Sequence, residues 1–177
     1  MKSALHITAT KAFSDTDAHK RSAFALITAQ SGKALLLRKN DVNSAEHGKF
    51  EMPGGGVDCN ESFYQGVIRE TCEETGFQIS SAVPVTNINH NGRQGLTELM
   101  IFVAATQDEF EPEFTHNPIT GHLEHSEYRW FTLDEILSSE EIHTKQKKDI
   151  LNNHEYIRDA IHQCVSNACT RQCLDNG

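Results

Sequence analysis

Short apolar runs alternate with polar segments along most of the chain, and this pattern predicts strands on both sides of one helix. Residues 23–30 (AFALITAQ) and 33–39 (KALLLRK) are separated by Ser31 and Gly32, which indicates a β-hairpin. Residues 49–57 (KFEMPGGGV) predict a short strand that runs into three glycines. The first third of the chain is therefore expected to be mostly sheet.

A helical pattern follows over residues 58–75. Asp58 and Glu61 have the spacing of a capping box, so we expect the helix to begin near Asp58. Gly76 is expected to end it, because glycine readily adopts the left-handed conformation found just past helix ends.

The second half of the chain predicts another hairpin, a long loop and more helix. Residues 77–90 and 96–106 flank an Asn-Gly pair, which is typical of a hairpin turn. Residues 107–126 form a loop that is too long to be only a connection. Residues 127–136 (EYRWFTLDEI) predict a strand followed by a helix, and residues 139–165 predict a longer helix.

Together these elements predict an α/β fold in which a mixed β-sheet lies between helices. Residues 1–21 are weakly patterned and are expected to be a lead-in. Residues 22–163 carry the strand and helix patterns and are expected to be one domain, while residues 164–177 lack a pattern and are expected to be a disordered tail.

Composition narrows the classes of function. The chain has 177 residues, of which 37% are hydrophobic, so it can form a real core. Its formal net charge of −9 argues against a broad surface that grips nucleic acid, because that task needs clustered Lys and Arg. A small anionic ligand bound through metal ions stays compatible with this charge. No apolar run approaches the length of a membrane span and no signal peptide is recognisable, so we expect a cytoplasmic protein without membrane contact.

The five cysteines are too few, and odd in number, for a disulfide framework, so we expect reduced thiols. Cys164, Cys169 and Cys173 lie close together in the sequence. Their spacing is not a usual zinc-binding pattern, and their role is left open.

Three carboxylates in the central helix carry the strongest chemical signal. At about 100° per residue, Glu70, Glu73 and Glu74 share one helix face. Glu70 and Glu74 form a like-charge pair near the helix C-terminus, where the helix dipole also disfavours negative charge. Arg69 is the only cation in residues 53–77. The pattern therefore predicts a divalent cation, Mg²⁺ or Mn²⁺, as the missing positive charge.

Gly54, Gly55 and Gly56 precede this helix. Without side chains, they allow the backbone to approach both the helix and a ligand, and their carbonyl oxygens are available to an ion.

Seven residues at fixed spacing over 22 positions resemble the signature box of the Nudix hydrolases: Gly55, Glu61, Arg69, Glu70, Glu73, Glu74 and Gly76. Phe77 is an acceptable bulky residue at the end of the box. Thr71 departs from the bulky aliphatic residue expected at its position. The segments around the box extend the resemblance to residues 22–137.

The resemblance implies an α/β/α sandwich and a hydrolase that acts on a phosphoric anhydride bond of a nucleoside diphosphate linked to another group, with Mg²⁺ or Mn²⁺ required. Nucleoside triphosphates and nucleotide sugars are both open as small-molecule substrates. An RNA 5′-end pyrophosphohydrolase and a noncatalytic nucleotide sensor are the alternatives. Homodimers are common in the family, so a homodimer is also open.

The resemblance also assigns roles to residues. The implied metal ligands are the Gly55 carbonyl, Glu70, Glu73 and Glu74, with Glu70 as a candidate base. The remaining roles fall to Arg69, which would orient the acids, to Glu61, which would pair with it, and to Gly54, Gly55 and Gly56, which would bind substrate.

Many Nudix enzymes use a further acid from outside the box. Here the candidates are Glu98, Glu124 and Glu127, and we favour Glu127 because the loop before it can reach over the central helix.

Overall fold

The computed structural model describes residues 20–92, 95–116 and 121–175. The expected lead-in, residues 1–21, lies outside the described residues except for its last two, which begin the first strand.

Within the described residues, seven strands form one sheet. The strands are β1 (Lys20–Ala29), β2 (Lys33–Lys39), β3 (Phe50–Glu51), β4 (Gly54–Gly56), β5 (Ala82–Gly92), β6 (Gly95–Thr106) and β7 (His125–Thr132).

The main path of the sheet runs β3-β2-β1-β6-β5, while β4 pairs with β1 and β7 pairs with β2. Strands β1 and β6 are parallel, and every other pair is antiparallel. The predicted mixed sheet is therefore confirmed. Both predicted hairpins, β1 with β2 and β5 with β6, are present.

The central helix α1 spans Phe63–Thr75 and begins later than predicted. Its N-cap is Ser62, whose side chain accepts from the Gln65 N–H, while the Gln65 side chain accepts from the Ser62 N–H. The predicted cap, Asp58, lies in the preceding loop, where its N–H donates to Glu61. Gly76 ends the helix with φ of 71°, as predicted.

The C-terminal helical region differs from the prediction in two ways. Instead of one helix over residues 139–165, the chain forms α2 (Leu133–Ser138), α3 (Thr144–Asn152) and α4 (His154–Asp175). Helix α3 ends because the Asn153 side chain donates to the Asp149 carbonyl, which competes with helix continuation. Helix α4 then extends to Asp175, so most of the segment that was expected to be a disordered tail is helical. The reason is that extending a helix that has already formed costs little free energy per residue.

Two layers of core lie on opposite faces of the sheet. On one face, Val67 and Phe63 of α1 pack against β-strand residues such as Ile27. On the other face, Ile150 of α3 and Ile157 of α4 pack against a second set of strand residues. This arrangement is the predicted α/β/α sandwich, and the loop before α1 lies beside β1, where the Val57 N–H donates to the Arg21 carbonyl. None of the described helices is long and apolar enough to cross a membrane.

Cys164 belongs to the second core layer. It is buried, its thiol lies 3.6 Å from the Val103 carbonyl oxygen, and burial raises the pKa of the thiol. The side chains of Cys169 and Cys173 lie outside the described residues, so the role of the three cysteines stays open.

Candidate active site

Arg69 donates hydrogen bonds to several carboxylates of α1 and of the loop before it. Its Nε and one terminal nitrogen donate to the two oxygens of Glu61 at 2.8 and 2.9 Å, which is a bidentate pair. Its other terminal nitrogen donates to Glu70 at 2.9 Å, and the guanidinium also donates to the Gly56 carbonyl. The hydrogen bonds from Arg69 lower the pKa of Glu61 to about 2. The predicted pairing of Arg69 with Glu61 and Glu70 is thus present.

Glu70 and Glu74 lie one helical turn apart and both are largely buried. Their side chains are 17% and 10% exposed. Burial raises the pKa of Glu70, although Arg69 opposes the rise. Burial also raises the pKa of Glu74 well above its usual value. The Gly54 N–H, which donates to Glu74 at 2.7 Å, only partly offsets this effect.

Repulsion between carboxylates adds to these shifts. Glu70, Glu51 and Glu124 each raise the pKa of Glu74, and Glu124 also raises the pKa of Glu70. Carboxylates from three parts of the sequence, namely β3, α1 and the segment before β7, therefore lie close together around Glu74.

Glu73 is placed differently from its two neighbours. Its side chain is 58% exposed, and its carboxylate accepts from Arg69 at 3.2 Å. The helix thus turns Glu73 outward, while Glu70 and Glu74 face inward.

A cavity of about 1050 Å³ opens beside this helix. Phe24 and Leu99 contribute apolar surface to its wall, and α3 contributes polar side chains. Glu61, Arg69, Glu73, Glu98 and Glu127 are not part of its lining. The lining includes Lys39, Glu51, Gly54, Gly55, Gly56, Glu70, Glu74, Glu124, His125, Lys145, Gln146 and Asp149.

The glycine strand β4 fits closely between β1 and α1. Gly54 has φ of 136°, and a Cβ there would lie 2.2 Å from the Ala23 carbonyl oxygen. A Cβ on Gly55 would lie 2.8 Å from a carboxylate oxygen of Glu70. The absence of side chains therefore lets the backbone touch the acids, as the sequence predicts.

Glu127, the acid favoured from sequence, lies away from the cavity. Its carboxylate is 51% exposed and accepts from Arg38 Nε at 2.7 Å. Glu98 accepts from the Asn87 side chain. Among the three candidate acids outside the box, Glu124 alone lines the cavity.

Two residues of the site were assigned no role from the sequence. Glu51 of β3 and His125 of β7 are both buried and line the cavity. Glu51 accepts from Lys39 at 2.9 Å and lies 3.3 Å from His125 Nε2. Burial raises the pKa of Glu51, but the hydrogen bonds from His125 and Lys39 outweigh it and leave the pKa lowered. The one available signal was the position of Glu51, directly before the Met-Pro-Gly-Gly segment.

The donor set suits a hard divalent cation. Glu70 and Glu74 supply carboxylate oxygens, and the Gly55 carbonyl lies on the adjacent strand. A cation would also relieve the repulsion that raises the pKa of Glu74. Within the described residues, no three His, Cys, Asp or Glu side chains are already arranged as a metal cage.

Comparison with known proteins identifies the fold family. The profile of the NUDIX domain matches residues 18–153, which is most of the chain. The chain belongs to the NUDIX domain family. This finding confirms the resemblance seen in the signature box, and the Nudix family comprises hydrolases of pyrophosphate bonds that generally use a divalent metal.

Individual relatives agree with this assignment. A MutT-like protein of Streptomyces ambofaciens is 29% identical over 82 residues, which is 46% of this chain and 49% of the relative, so the match spans about half of that relative's length. The crystal structure of a MutT protein from Methanosarcina mazei Go1 has a TM-score of 0.63 and 26% identity, covering 82% of this chain and 98% of that one. A C. elegans Ap4A hydrolase has a TM-score of 0.59 and 17% identity, covering 79% and 98%, a likeness that shows the Nudix fold.

Proposed function

We propose that this Nudix protein is a Mg²⁺-dependent hydrolase, able to use Mn²⁺, that cleaves the diphosphate of a small nucleotide such as a nucleoside triphosphate or a nucleotide sugar. One observation carries the proposal: the largely buried carboxylates of Glu74 and Glu70 lie against Gly54 and Gly55 in the wall of one cavity. The NUDIX domain match supports it, and the C. elegans Ap4A hydrolase shares the fold.

The cavity suits a small nucleotide. Its volume of about 1050 Å³ is slightly above the usual upper limit for small-molecule sites, so a whole nucleotide fits. Phe24 and Leu99 offer apolar surface to a base, while Lys39 and Lys145 place cationic groups in the same lining. The overall acidity of the chain would hinder a long polyanion more than a single nucleotide held through a cation.

Glu70, Glu74 and the Gly55 carbonyl would hold the cation, and Glu73, which is exposed beside Arg69, is the further ligand that the resemblance implies. A bound divalent metal neutralises diphosphate charge and lowers the pKa of a bound water. Arg69 keeps Glu70 in place, because the guanidinium is itself locked by the two oxygens of Glu61. The Gly54 N–H holds one oxygen of Glu74.

Glu124 is our candidate for the further acid that accepts a proton from the attacking water, with Glu70 as the alternative. Glu124 lines the cavity and is close enough to Glu70 and Glu74 to raise the pKa of both. A proton acceptor must reach the reacting groups, and the carboxylate of Glu127 is instead paired with Arg38 outside the cavity.

Product analysis by chromatography tests the proposal. The protein is incubated with Mg²⁺ or Mn²⁺ and with nucleoside triphosphates, nucleotide sugars, ADP-ribose, dinucleoside polyphosphates or triphosphorylated RNA. We expect cleavage of one small-nucleotide class, lost in E70Q and E74Q. E127Q is the matched control, because it removes an acid that lies outside the cavity, and we expect it to retain most activity.

Two results would contradict the proposal. Cleavage of triphosphorylated RNA alone would indicate the RNA-end hydrolase. Metal-dependent nucleotide binding without any product would indicate a sensor that has lost chemistry.

A further inference from the structure

His125 lies between two carboxylates of the site. Its side chain is only 5% exposed. Its Nε2 is 3.3 Å from Glu51 Oε1, and its Nδ1 is 3.9 Å from Glu74 Oε1. The ring of Phe114 packs near it, with ring centroids 6.5 Å apart. A single imidazole thus separates two buried acids.

A β-bulge explains how His125 reaches this position. In the pairing of β2 with β7, Arg38 is opposite Glu127 but Lys39 is opposite His125, so Ser126 has no partner. In a regular strand, residues two apart point to the same face. The extra residue turns the His125 side chain inward while Glu127 stays outside with Arg38.

The contacts continue on both sides of His125. On one side, Glu51 is held by the Lys39 ammonium at 2.9 Å. On the other side, the second oxygen of Glu74 accepts from the Gly54 N–H at 2.7 Å. Glu74 therefore has one oxygen fixed by the glycine strand and the other facing the imidazole. On the far side of the ring, Nε2 lies next to Glu51, which is itself held by Lys39.

We propose that His125 is a positioning residue that fixes the orientation of the Glu74 carboxylate for cation binding. The inference rests on the proposed function, in which Glu74 holds the divalent cation. Partners that orient a metal ligand strongly affect affinity, and their loss typically weakens metal binding by about 10- to 100-fold.

Removing the imidazole of His125 would change the surroundings of Glu74. Glu51 and Glu74 would face each other across the space that the ring fills, and like charges repel strongly where water is scarce. The Glu74 carboxylate is then expected to rotate about its hydrogen bond from the Gly54 N–H, so that its other oxygen no longer points to where the cation would bind.

Two amide substitutions separate the two contacts of the ring. The amide nitrogen of Asn takes the place of Nδ1, and that of Gln takes the place of Nε2. H125N therefore keeps the contact to Glu74, whereas H125Q keeps only the contact to Glu51. We measure Mn²⁺ binding without substrate, from the electron paramagnetic resonance signal of free Mn²⁺, and unfolding by urea for each variant.

We expect Mn²⁺ affinity to fall at least tenfold in H125Q and less than threefold in H125N. A purely structural role predicts instead that both variants lose stability and Mn²⁺ affinity to the same extent, and this result would overturn the inference. H162Q, which changes an exposed histidine of α4, is the matched control for the substitution itself.

E74Q separates this inference from the proposed function. If the wild type binds Mn²⁺ and E74Q does not, while H125Q binds as well as the wild type, the role of His125 is wrong and the proposed function stands. If the wild type does not bind Mn²⁺, or if E74Q binds it equally well, the proposed function fails and the role of His125 fails with it.

Discussion

Thr71 carries a buried hydroxyl without a hydrogen-bond partner among the described residues. It lies on the inner face of α1, at the position where the signature box expects a bulky aliphatic residue. Replacing the hydroxyl by a methyl group removes an unsatisfied polar atom and keeps the shape of the side chain. We expect T71V to raise the free energy of unfolding by about 1 kcal/mol, as measured by urea denaturation.

Thr75 is the matched control for Thr71, one turn further along α1. Its hydroxyl donates to the Thr71 carbonyl at 2.6 Å and accepts from the Phe77 N–H at 3.1 Å. T75V should therefore lower the free energy of unfolding by about 1 kcal/mol. Equal effects of the two substitutions would show that the Thr71 hydroxyl is not a source of instability.

Individual site residues differ in how far the sequence predicts them. Glu70, Glu73 and Glu74 lie on one helix, so a shared face was predicted from helix geometry, but only Glu70 and Glu74 face the cavity, while Glu73 is exposed. Glu51 and His125 are far apart in the sequence and meet only through the pairing of β2 with β3 and with β7. Nothing local in the sequence indicates such a contact.

At the scale of elements, the contact between β4 and α1 sets the position of Glu70. A Cβ on Gly55 would lie 2.8 Å from the Glu70 carboxylate, so G55A must displace that carboxylate. The carboxylate is the movable end of a side chain, and stability should change little. We expect activity to fall by roughly 10- to 100-fold, because small displacements of reacting groups are costly. Steady-state kinetics and urea denaturation of the same preparation check both parts.

Gly56 provides the comparison for G55A. A Cβ there has no heavy atom within 4 Å, so G56A adds the same methyl group without displacing Glu70. The loss of activity should be clearly smaller than in G55A. A loss as large in G56A would mean that backbone stiffness, rather than the position of Glu70, matters in this strand.

The start of α1 gives a second prediction for an element. The Ser62 side chain accepts from the Gln65 N–H, so S62A should lower the free energy of unfolding by about 1 kcal/mol. Asp58, which the sequence predicted as the cap, has no such role, and D58A should have a smaller effect. Urea denaturation distinguishes the two, and a larger loss in D58A would contradict the observed start of the helix.

The strands and α1 were predictable as elements because their hydrophobic periods are clear. Two features were not. The division between α3 and α4 depends on the Asn153 side chain, which can end a helix or be carried by one. The bulge at Ser126 changes which side chains of β7 face the site, and the sequence of β7 has no glycine or proline to indicate it. Because of this bulge, Glu127, the acid that we favoured from the sequence, pairs with Arg38 outside the cavity.

For the whole molecule, the site carries a cost in stability. Glu74 is buried among Glu51, Glu70 and Glu124, and its pKa in the folded protein is raised above the ordinary value of 4.5. Between pH 4.5 and the raised pKa, the folded state binds more protons than the unfolded state. The contribution of Glu74 to the free energy of unfolding of the metal-free protein then decreases as pH rises through this window. Glu61 acts in the opposite direction, because its pKa is lowered to about 2. Its carboxylate contributes to the free energy of unfolding above pH 4.5, and this contribution is lost as pH falls from 4.5 towards 2.

E74Q tests this link between stability and function in the whole protein. The amide keeps the size of the side chain and removes the buried charge, so at pH 7 in EDTA we expect E74Q to unfold with a free energy greater by on the order of 1–3 kcal/mol. The decrease in stability above pH 4.5 should also become shallower than in the wild type.

Added Mg²⁺ should stabilise the wild type, since a ligand bound only by the folded state raises its stability, and should have little effect on E74Q. Urea denaturation at several pH values, with and without Mg²⁺, measures all of these effects. If E74Q is less stable than the wild type in EDTA, the Glu74 charge is compensated within the fold, and a bound cation is not needed to relieve it.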